Sequence, residues 1–431
     1  MIEVIESTAL VTVQDLGRTG SFRYGVPQSG AMDALALATG NSMLGNAADA
    51  AGIEIPMSRL VLRFGEDCAF AITGAPCQAW LDDEEMLPWS ARSAWAGQTL
   101  TLVPSDRQVF TYVTIAGGID VPPVLGSRST QHRGSFGGLF GRALRAGDRL
   151  PLSPTRPIFT CDFAVPPPPF DTDMPLRVVP AAEYDLLTPR SRENLWAKGW
   201  KVTGASNRAG YRLSGETLLL TETVELRSHG IVPGVLQLPP SGQPVVQLAD
   251  AATMGGYPKI GTVIPADLWR LAQHRPRESL RFQMTDYRRA LAAMGEHEAF
   301  LEKIASIGAA RRKPSHARPL VALIDQIADI MRRNRVDEIV LQEPSIRLTL
   351  KASTRNLEAS VSSPEAGRWH RCAQTGIRRG RHAVVGWLET ETGLLPVRSD
   401  LAPFGMRPTN IMVGAGDVLF STRAEIPSST P

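Results

Sequence analysis

The densest chemistry in this sequence lies near its N-terminus, where Val13-Gln14-Asp15-Leu16-Gly17-Arg18 is followed by Gly25-Val26-Pro27-Gln28-Ser29-Gly30-Ala31-Met32-Asp33. Asp15 and Asp33 can accept hydrogen bonds, Arg18 can donate, and Gln14 and Ser29 can do both, while Gly17 and Gly30 let the backbone bend or approach another group closely. Such a loop suits a polar ligand, and the same residues also close β-turns through local hydrogen bonds. Further on, Ala116-Gly117-Gly118-Ile119-Asp120 ends an apolar strand and Gly126-Ser127-Arg128-Ser129-Thr130 follows it. Backbone N–H groups beside hydroxyls suit an anion such as carboxylate or phosphate, although Gly-Gly after a strand is equally a turn signal. The theme returns in Ser206-Asn207-Arg208-Ala209-Gly210-Tyr211-Arg212 and in the run from Asp250 through Gly255-Gly256-Tyr257-Pro258-Lys259. Arg208 and Lys259 can hold an anion and Tyr211 and Tyr257 can donate from rigid rings, or these residues form a surface ion pair and core aromatics.

What is missing narrows the chemistry. Neither G-x-x-x-x-G-K-[ST] nor a strand-to-helix G-x-G-x-x-G occurs, so any ATP is expected to be held by another subunit. No nucleophile elbow or Cys-His pair supports covalent catalysis. Cys68, Cys77, Cys161 and Cys372 lie far apart and the 7 histidines are scattered, so neither a metal site nor a disulfide framework is expected. The formal net charge is +3, with 19 Lys+Arg against 13 Asp+Glu in residues 301–431 and 27 against 30 before them. A basic C-terminal third favours an acidic protein partner over nucleic acid. The N-terminus lacks a basic start and apolar run, and no apolar stretch approaches membrane-spanning length, so a cytoplasmic protein without membrane association is expected.

The elements that must position these residues are mostly strands. With 431 residues, 43% hydrophobic, 38 Gly and 33 Pro, the chain is globular and turn-rich. Leu10–Val13, Cys68–Ile72, Thr99–Val103 and Val109–Ala116 read as strands, and a helix begins after Asp33, an expected N-cap. Pro166 to Pro169 mark a linker. A second β-rich segment runs to Phe282 and carries an echo of the first, Pro239-Pro240-Ser241-Gly242 against Pro27-Gln28-Ser29-Gly30. Residues 285–316 are helix-forming and then basic, and Leu320, Leu323, Ile324, Ile327, Ile330 and Met331 line one face of an amphipathic helix. The expected division is 1–155, a proline-rich linker 156–174, 175–288, a helical and basic linker 289–318, and a small β unit 319–425.

Taken together these motifs resemble the allophanate hydrolase subunit 2 family, which includes KipA, the C-type subunit of 5-oxoprolinase and the carboxyltransferase domain of urea carboxylase. The resemblance covers about residues 1–285, through Val13 to Arg18, Gly25-Val26-Pro27, Gly30 to Asp33, Ala116 to Ile119, Gly126 to Thr130, Gly210-Tyr211-Arg212-Leu213 and Gly255 to Ile260. It implies a mainly β protein with two cyclophilin-like β-barrel domains around a shared cleft. It also implies a KipI-like partner of the allophanate hydrolase subunit 1 type, and with it a LamB/YcsF-like subunit. The chain departs from the family pattern at Ala181-Ala182-Glu183, at His229 and at Ala252. Residues 319–425 resemble a biotin carboxyl carrier domain of the biotinyl/lipoyl type, with its helical lead-in. Matching the Glu-Ala-Met-Lys motif gives Glu389-Thr390-Glu391-Thr392, and Thr392 cannot form the biotin amide.

The resemblance implies carboxyl transfer onto an amide or urea nitrogen. It assigns general-base duty to Asp33 or Asp250 and carboxylate holding to Arg18, Arg208 and Lys259. Gln14, Ser29, Ser127 and Tyr257 would bond the substrate or the ureido group, with Asp15, Gly30, Gly117, Gly118, Tyr211, Gly255 and Gly256 completing the site. Biotin would be carried by another protein, served by a separate biotin carboxylase, and ATP would be used through the complex, with no cofactor covalently attached to this chain. ATP-driven opening of a lactam, as the 5-oxoprolinase relationship implies, ranks slightly above urea carboxylation for a chain without the biotinyl lysine. The alternative is a KipA-like regulator that binds and antagonises a KipI-like kinase inhibitor.

Overall fold

Strand Phe110–Ile115 shows how the N-terminal part is built, because its six residues are all buried and its two faces meet different surroundings. Val113 and Ile115 point into a core with Ile2, Val4, Leu62, Phe64, Phe70 and Ile72. Phe110 and Tyr112 point the other way, towards a second core shared with the rest of the chain. A strand buried on both sides needs apolar residues throughout, which is why it reads as a run rather than as an alternation. The computed structural model describes residues 1–314 except Ala9, Thr155, Arg156, Ile158 and Thr223, together with strands between residues 338 and 425.

Two sheets enclose the first core. One has the order Arg149–Leu150, Ile2–Glu6, Leu60–Phe64, Thr99–Pro104, Cys77–Leu81 and Glu84–Met86. The other runs through Thr12–Gln14, Gly52–Pro56, Phe110–Ile115, Cys68–Gly74, Ser90–Ala94 and Asp162–Ala164, then continues across the pair Ala164↔Leu394 into C-terminal strands. Helix α1 (Ala34–Leu44) lies on the outer face of this second sheet, where Thr73 Oγ1 donates to the Ala36 carbonyl at 2.7 Å. Asp33 caps it by accepting from the Ala36 N–H, as its position before an apolar run predicts.

The second part is a sheet curled almost into a barrel. Its order is Ser279–Leu280, Trp200–Val202, Gly210–Ser214, Val245–Gln247, Val235–Gln237, Lys259–Val263, Leu176–Pro180 and Phe282–Met284. The two edge strands are neighbours in sequence, so the edges are brought together by a single residue, Arg281. Leu236, Val246 and Ile260 point inward, all fully buried. Three helices accompany this sheet: α2 (Pro189–Ala197), α3 (Leu268–Ala272) and α4 (Tyr287–Arg311). Helix α2 falls in a stretch expected to be β-rich, although its Thr188 cap and Pro189 at the first turn carry a helix start signal. Helix α4 returns to pack on α1, where Gly308 lets the helices approach: a Cβ there would sit 2.5 Å from the Met43 carbonyl.

Phe170, directly after the proline run, packs on Trp269 and His274 with ring centroids 6.1 and 5.7 Å apart. In the C-terminal part, strands Ala383–Thr390 and Gly393–Ser399 pair antiparallel as far as Thr390↔Gly393. Thr392, Cys372 and the amphipathic helix expected over residues 320–335 lie outside the described residues. No helix among the described residues is long and apolar enough to cross a membrane.

Candidate functional site

The two parts meet through buried charge. Glu54 is the single ionisable residue of strand Gly52–Pro56; Ile53 and Ile55 face the first core, so Glu54 faces the second part. It pairs in register with Tyr112, whose hydroxyl donates to Glu54 Oε2 at 2.7 Å, and the Met32 N–H donates to the same oxygen at 2.8 Å. Glu54 Oε1 accepts from Arg208 Nη1. Arg208 comes from the second part, and its Nε donates to Asp250 Oδ2 at 2.8 Å while Nη2 donates to the Gly30 carbonyl at 2.7 Å. Burial alone would lower the Arg208 pKa, but Glu54 and Asp250 outweigh it and hold the guanidinium above its ordinary value. The Tyr112 hydroxyl is pushed well above its usual range by burial and by the Glu54 and Asp33 carboxylates. A further bond, Ser29 N–H to the Ala249 carbonyl at 2.9 Å, closes this seam.

Asp33 sits at the same junction. Its Oδ1 caps α1 and its Oδ2 accepts from Gln273 Nε2 at 2.7 Å. Gln273 follows α3, and its Oε1 takes the N–H groups of Val109 and Phe110, both at 2.9 Å, which fixes the amide so that it can only donate to Asp33. Burial raises the Asp33 pKa to about 7, against the Gln273 and Ala36 bonds that lower it. Both its oxygens are therefore engaged within the protein.

Asp15 organises the N-terminal loop. It accepts from the Gly17 N–H at 2.7 Å, from the Ser127 and Ser129 hydroxyls, and from the Arg128 N–H. This ties the two glycine-rich motifs together. Gly17 and Gly30, both at positive φ, cross so closely that a Cβ on Gly30 would lie 2.7 Å from the Gly17 nitrogen. Arg18 is 1% exposed, donates from Nη2 to the Ser129 carbonyl at 2.6 Å and lies over the Phe136 ring. Its Nη1 has no partner, and neither have Ser29 Oγ and Gln14 Oε1. Burial lowers the Arg18 pKa, opposed by Asp15 and Asp250. His132, exposed on the adjoining loop, is lowered by partial burial and by Arg208, with Asp250 and Glu54 opposing.

A second donor-rich place lies on the outer face of the curled sheet. Lys259 and Gln237 are register partners on neighbouring strands, and Gln247 Nε2 donates to Gln237 Oε1 at 2.9 Å. Lys259 Nζ and Gln237 Nε2 are buried without partners. Burial lowers the Lys259 pKa, opposed by Glu183. A two-stranded ribbon, His229–Gly230 with Met254–Gly255, roofs them. A Cβ on Gly255 would meet Ile231 Cδ1 at 2.5 Å and Gln237 Nε2 at 2.8 Å, and one on Gly256 would meet the Leu226 carbonyl at 3.0 Å. Glu183 Oε2 accepts from the Lys259 N–H at 3.2 Å, and His229 Nε2 stands 4.0 Å from Glu183 Oε1.

The structure thus brings Arg18, Ser29, Gly30, Arg208 and Asp250 to the seam, with Asp15 and Ser127 inside the loop behind them. Lys259, Gly255 and Gly256 gather around Gln237, and Tyr257 is half exposed beside them. Gly117 and Gly118 lie elsewhere, in a turn whose N–H groups go to Asn46 Oδ1 and the Ile115 carbonyl. Tyr211 points into the core and donates to the Ala272 carbonyl at 2.8 Å. The sequence echo does not produce a second Ser29 site, because Gly242 closes a turn against Thr217 and Leu218. Glu54, Tyr112, Gln237 and Gln273 were missed, and for Glu54 the lone carboxylate between two isoleucines is the signal that could have found it. Among the described residues no group of three His, Cys, Asp or Glu side chains could hold a metal ion.

The model for the carboxyltransferase domain, subdomains A and B, matches residues 24–284, the stretch that holds Glu54, Arg208 and Asp250 of the seam together with Lys259 and Gln237, while Gln14, Asp15 and Arg18 precede it. The chain belongs to this family. Among its relatives, the C-type subunit of 5-oxoprolinase from Haemophilus influenzae is 38% identical over 307 residues, covering 71% of this chain and 98% of that protein. The urea amidolyase of Lachancea kluyveri is 26% identical over 426 residues, covering 92% of this chain and 22% of the relative. The crystal structure of the K. lactis urea amidolyase superposes with a TM-score of 0.67 at 25% identity, over 84% of this chain and 23% of that one. This carboxyltransferase-family chain thus spans nearly the whole of that 5-oxoprolinase subunit and about a quarter of a urea amidolyase. It is a carboxyltransferase-like subunit of the 5-oxoprolinase or urea carboxylase type.

Proposed function

We propose that this chain is the amide-handling subunit of an ATP-dependent, lactam-processing complex of the 5-oxoprolinase type, working with a KipI-like partner and a LamB/YcsF-like subunit. One observation carries the reading. At the seam every carboxylate is compensated, yet among the buried cations with an unpartnered donor, which include Arg270 at Nε, Arg18 at Nη1 and Lys259 at Nζ lie within the candidate site motifs. A buried charged donor left open is costly, and it is retained where an anion, or a carbonyl gaining negative charge, occupies it in the working state. Arg18 with Ser29 fits the transferred carboxyl group, and Lys259 fits the substrate carbonyl. Where the reaction is carboxyl transfer, as in urea carboxylation, biotin held by another protein would supply that carboxyl group, and Arg18 Nη1 and Ser29 Oγ are donors of the kind that would hold it; ATP-driven lactam opening needs no biotin. Asp33 and Asp250 are read as positioning groups, since Gln273 with Ala36 and Arg208 occupy them. The flanking halves, 1–155 and 175–288, are read as two domains around this cleft.

Urea carboxylation is the second reading, favoured by the share of the chain aligned with the Lachancea kluyveri urea amidolyase, which extends well beyond the part shared with the Haemophilus influenzae 5-oxoprolinase subunit. On either reading residues 319–425 act as a docking module without biotin, because Thr392 has no amine to acylate. The test is ATP turnover by this chain co-purified with its KipI-like and LamB/YcsF-like partners, given 5-oxoproline or urea, with and without avidin. Turnover dependent on 5-oxoproline and insensitive to avidin supports the first reading, and avidin-sensitive turnover on urea supports the second. A stable complex that turns over neither substrate refutes both and favours a regulator of the KipA type.

A further inference from the structure

Gln237 can turn only one end towards a ligand. Its Oε1 is taken by Gln247 Nε2 at 2.9 Å, so the end left over is the Nε2 donor, on a residue 4% exposed. Its register partner Lys259 is 9% exposed and its Nζ likewise has no partner. The ladder bulges at this point, between Leu236↔Gly261 and Gln237↔Lys259, and partners on adjacent strands stay close enough for two open donors to serve one ligand. Next to them is one acceptor. Glu183 Oε2 is fixed by the Lys259 N–H at 3.2 Å, while Oε1 faces His229 Nε2 at 4.0 Å, too far for a hydrogen bond. His229 is held in turn by its Nδ1 at 2.9 Å from the Arg227 carbonyl. The glycine ribbon lies over the group, where a Cβ at position 255 would push on the side-chain ends Ile231 Cδ1 at 2.5 Å and Gln237 Nε2 at 2.8 Å.

Two donors beside one acceptor match a particular shape. An ordinary trans amide points its C=O and N–H in opposite directions, whereas a lactam or a urea presents both along one edge. We propose that Lys259, Gln237 and Glu183 form a recognition site for a cis-amide edge, in which the substrate carbonyl accepts from Lys259 Nζ and Gln237 Nε2 and its N–H donates to Glu183, the base that removes that proton. In this step the N–H bond breaks, its electron pair stays on nitrogen and spreads onto the carbonyl oxygen, and the proton passes to Glu183 Oε1. The charge of Lys259, on a residue 9% exposed, meets the developing oxyanion. The inference rests on the amide-handling function proposed for the chain and adds the residues, the substrate edge and the base.

The test separates the two. Saturation-transfer NMR on the full chain would compare 2-pyrrolidone with N-methyl-2-pyrrolidone, which lacks the N–H, and with N-methylacetamide, a trans amide. Binding of 2-pyrrolidone at least about tenfold tighter than of the other two is expected, since each leaves a buried group unpaired. Lys259→Met should weaken it by roughly tenfold. Glu183→Gln keeps an acceptor but cannot take a proton, so binding should hold within about threefold while turnover of the complex falls by about a hundredfold or more. Circular dichroism melting checks that each variant is folded. Equal signals from all three compounds, no signal from any, or full turnover with Glu183→Gln overturns the proposal. Absence of turnover by the unaltered complex refutes instead the amide-handling function, and the binding comparison decides the proposal without it.

Discussion

Arg208→Met should expose how far the two parts of the chain depend on their buried charges. The substitution keeps most of the side-chain length and removes the guanidinium from between Glu54 and Asp250. In the pairs it makes, Arg208 is 16% exposed, Glu54 1% and Asp250 11%, so little solvent screens them. Removing one partner of a buried pair costs about 3–5 kcal/mol, mostly as the penalty on the charge left behind. Glu54 would retain the Tyr112 hydroxyl and the Met32 N–H, whereas the Gly30 carbonyl would lose a donor worth about 1 kcal/mol. The expected loss is therefore about 4 kcal/mol. Urea unfolding followed by circular dichroism and by tryptophan fluorescence measures it, two probes being needed where more than one cooperative unit can unfold. The same logic gives an unusual second step. Glu54→Gln added to Arg208→Met should restore about 1–2 kcal/mol, because a neutral carboxamide oxygen still accepts from Tyr112 and Met32 without carrying the stranded charge. A loss below about 1 kcal/mol for the single variant, or a further loss on adding the second, would refute this account of the seam.

Three further outcomes follow from the same geometry. Asp33, raised to about 7 in the folded chain, holds a proton there that the unfolded chain has already released, so its contribution is fully present below the ordinary carboxylate value and is lost as pH rises towards 7. Asp33→Asn should flatten that part of a stability-against-pH curve; an unchanged slope between pH 4 and pH 7 would count against it. Asp15→Asn should cost about 2–3 kcal/mol, because the carboxamide cannot satisfy the Arg128 N–H together with the two serine hydroxyls and the Gly17 N–H. Hydrogen exchange should report the loss first at residues 126–130. Gly255→Ala should leave the melting temperature within a few degrees, since the ribbon lies outside the barrel core, yet lower lactam affinity by roughly tenfold as the ribbon lifts off Gln237. Unchanged affinity would mean that the ribbon does not shape the site.

Much of this arrangement was legible in the sequence, because loops announce themselves by composition. The glycines, serines and Asp15 of the first loop stand out locally, and the Asp33 cap precedes a run whose apolar spacing is helical. Strand positions were readable within a few residues: Thr99–Val103 became Thr99–Pro104 and Cys68–Ile72 became Cys68–Gly74. What could not be read is pairing over distance. Arg208 finds Glu54 154 residues away, and Gln273 finds Asp33 240 residues away. Composition shows that a charge exists, whereas register and the packing of one sheet on another decide whether it is met. Tyr211 illustrates the converse: it lies in a motif dense with polar residues, but strand alternation opposite Val246 turns it inward.

This difference between met and unmet groups also argues for where chemistry is done. A carboxylate such as Asp250, held by a guanidinium, would have to surrender those bonds before it could take a proton. Each such bond is worth about 1–3 kcal/mol, and that cost would enter the barrier of the step it was meant to assist. Glu183 surrenders nothing at Oε1, because its fixed bond runs through the other oxygen. Lys259 and Gln237 lose nothing by turning to a ligand, since they are unpaired without one. The charges of the seam hold two halves in one geometry, and the donors left open on the curled sheet are free to meet a ligand.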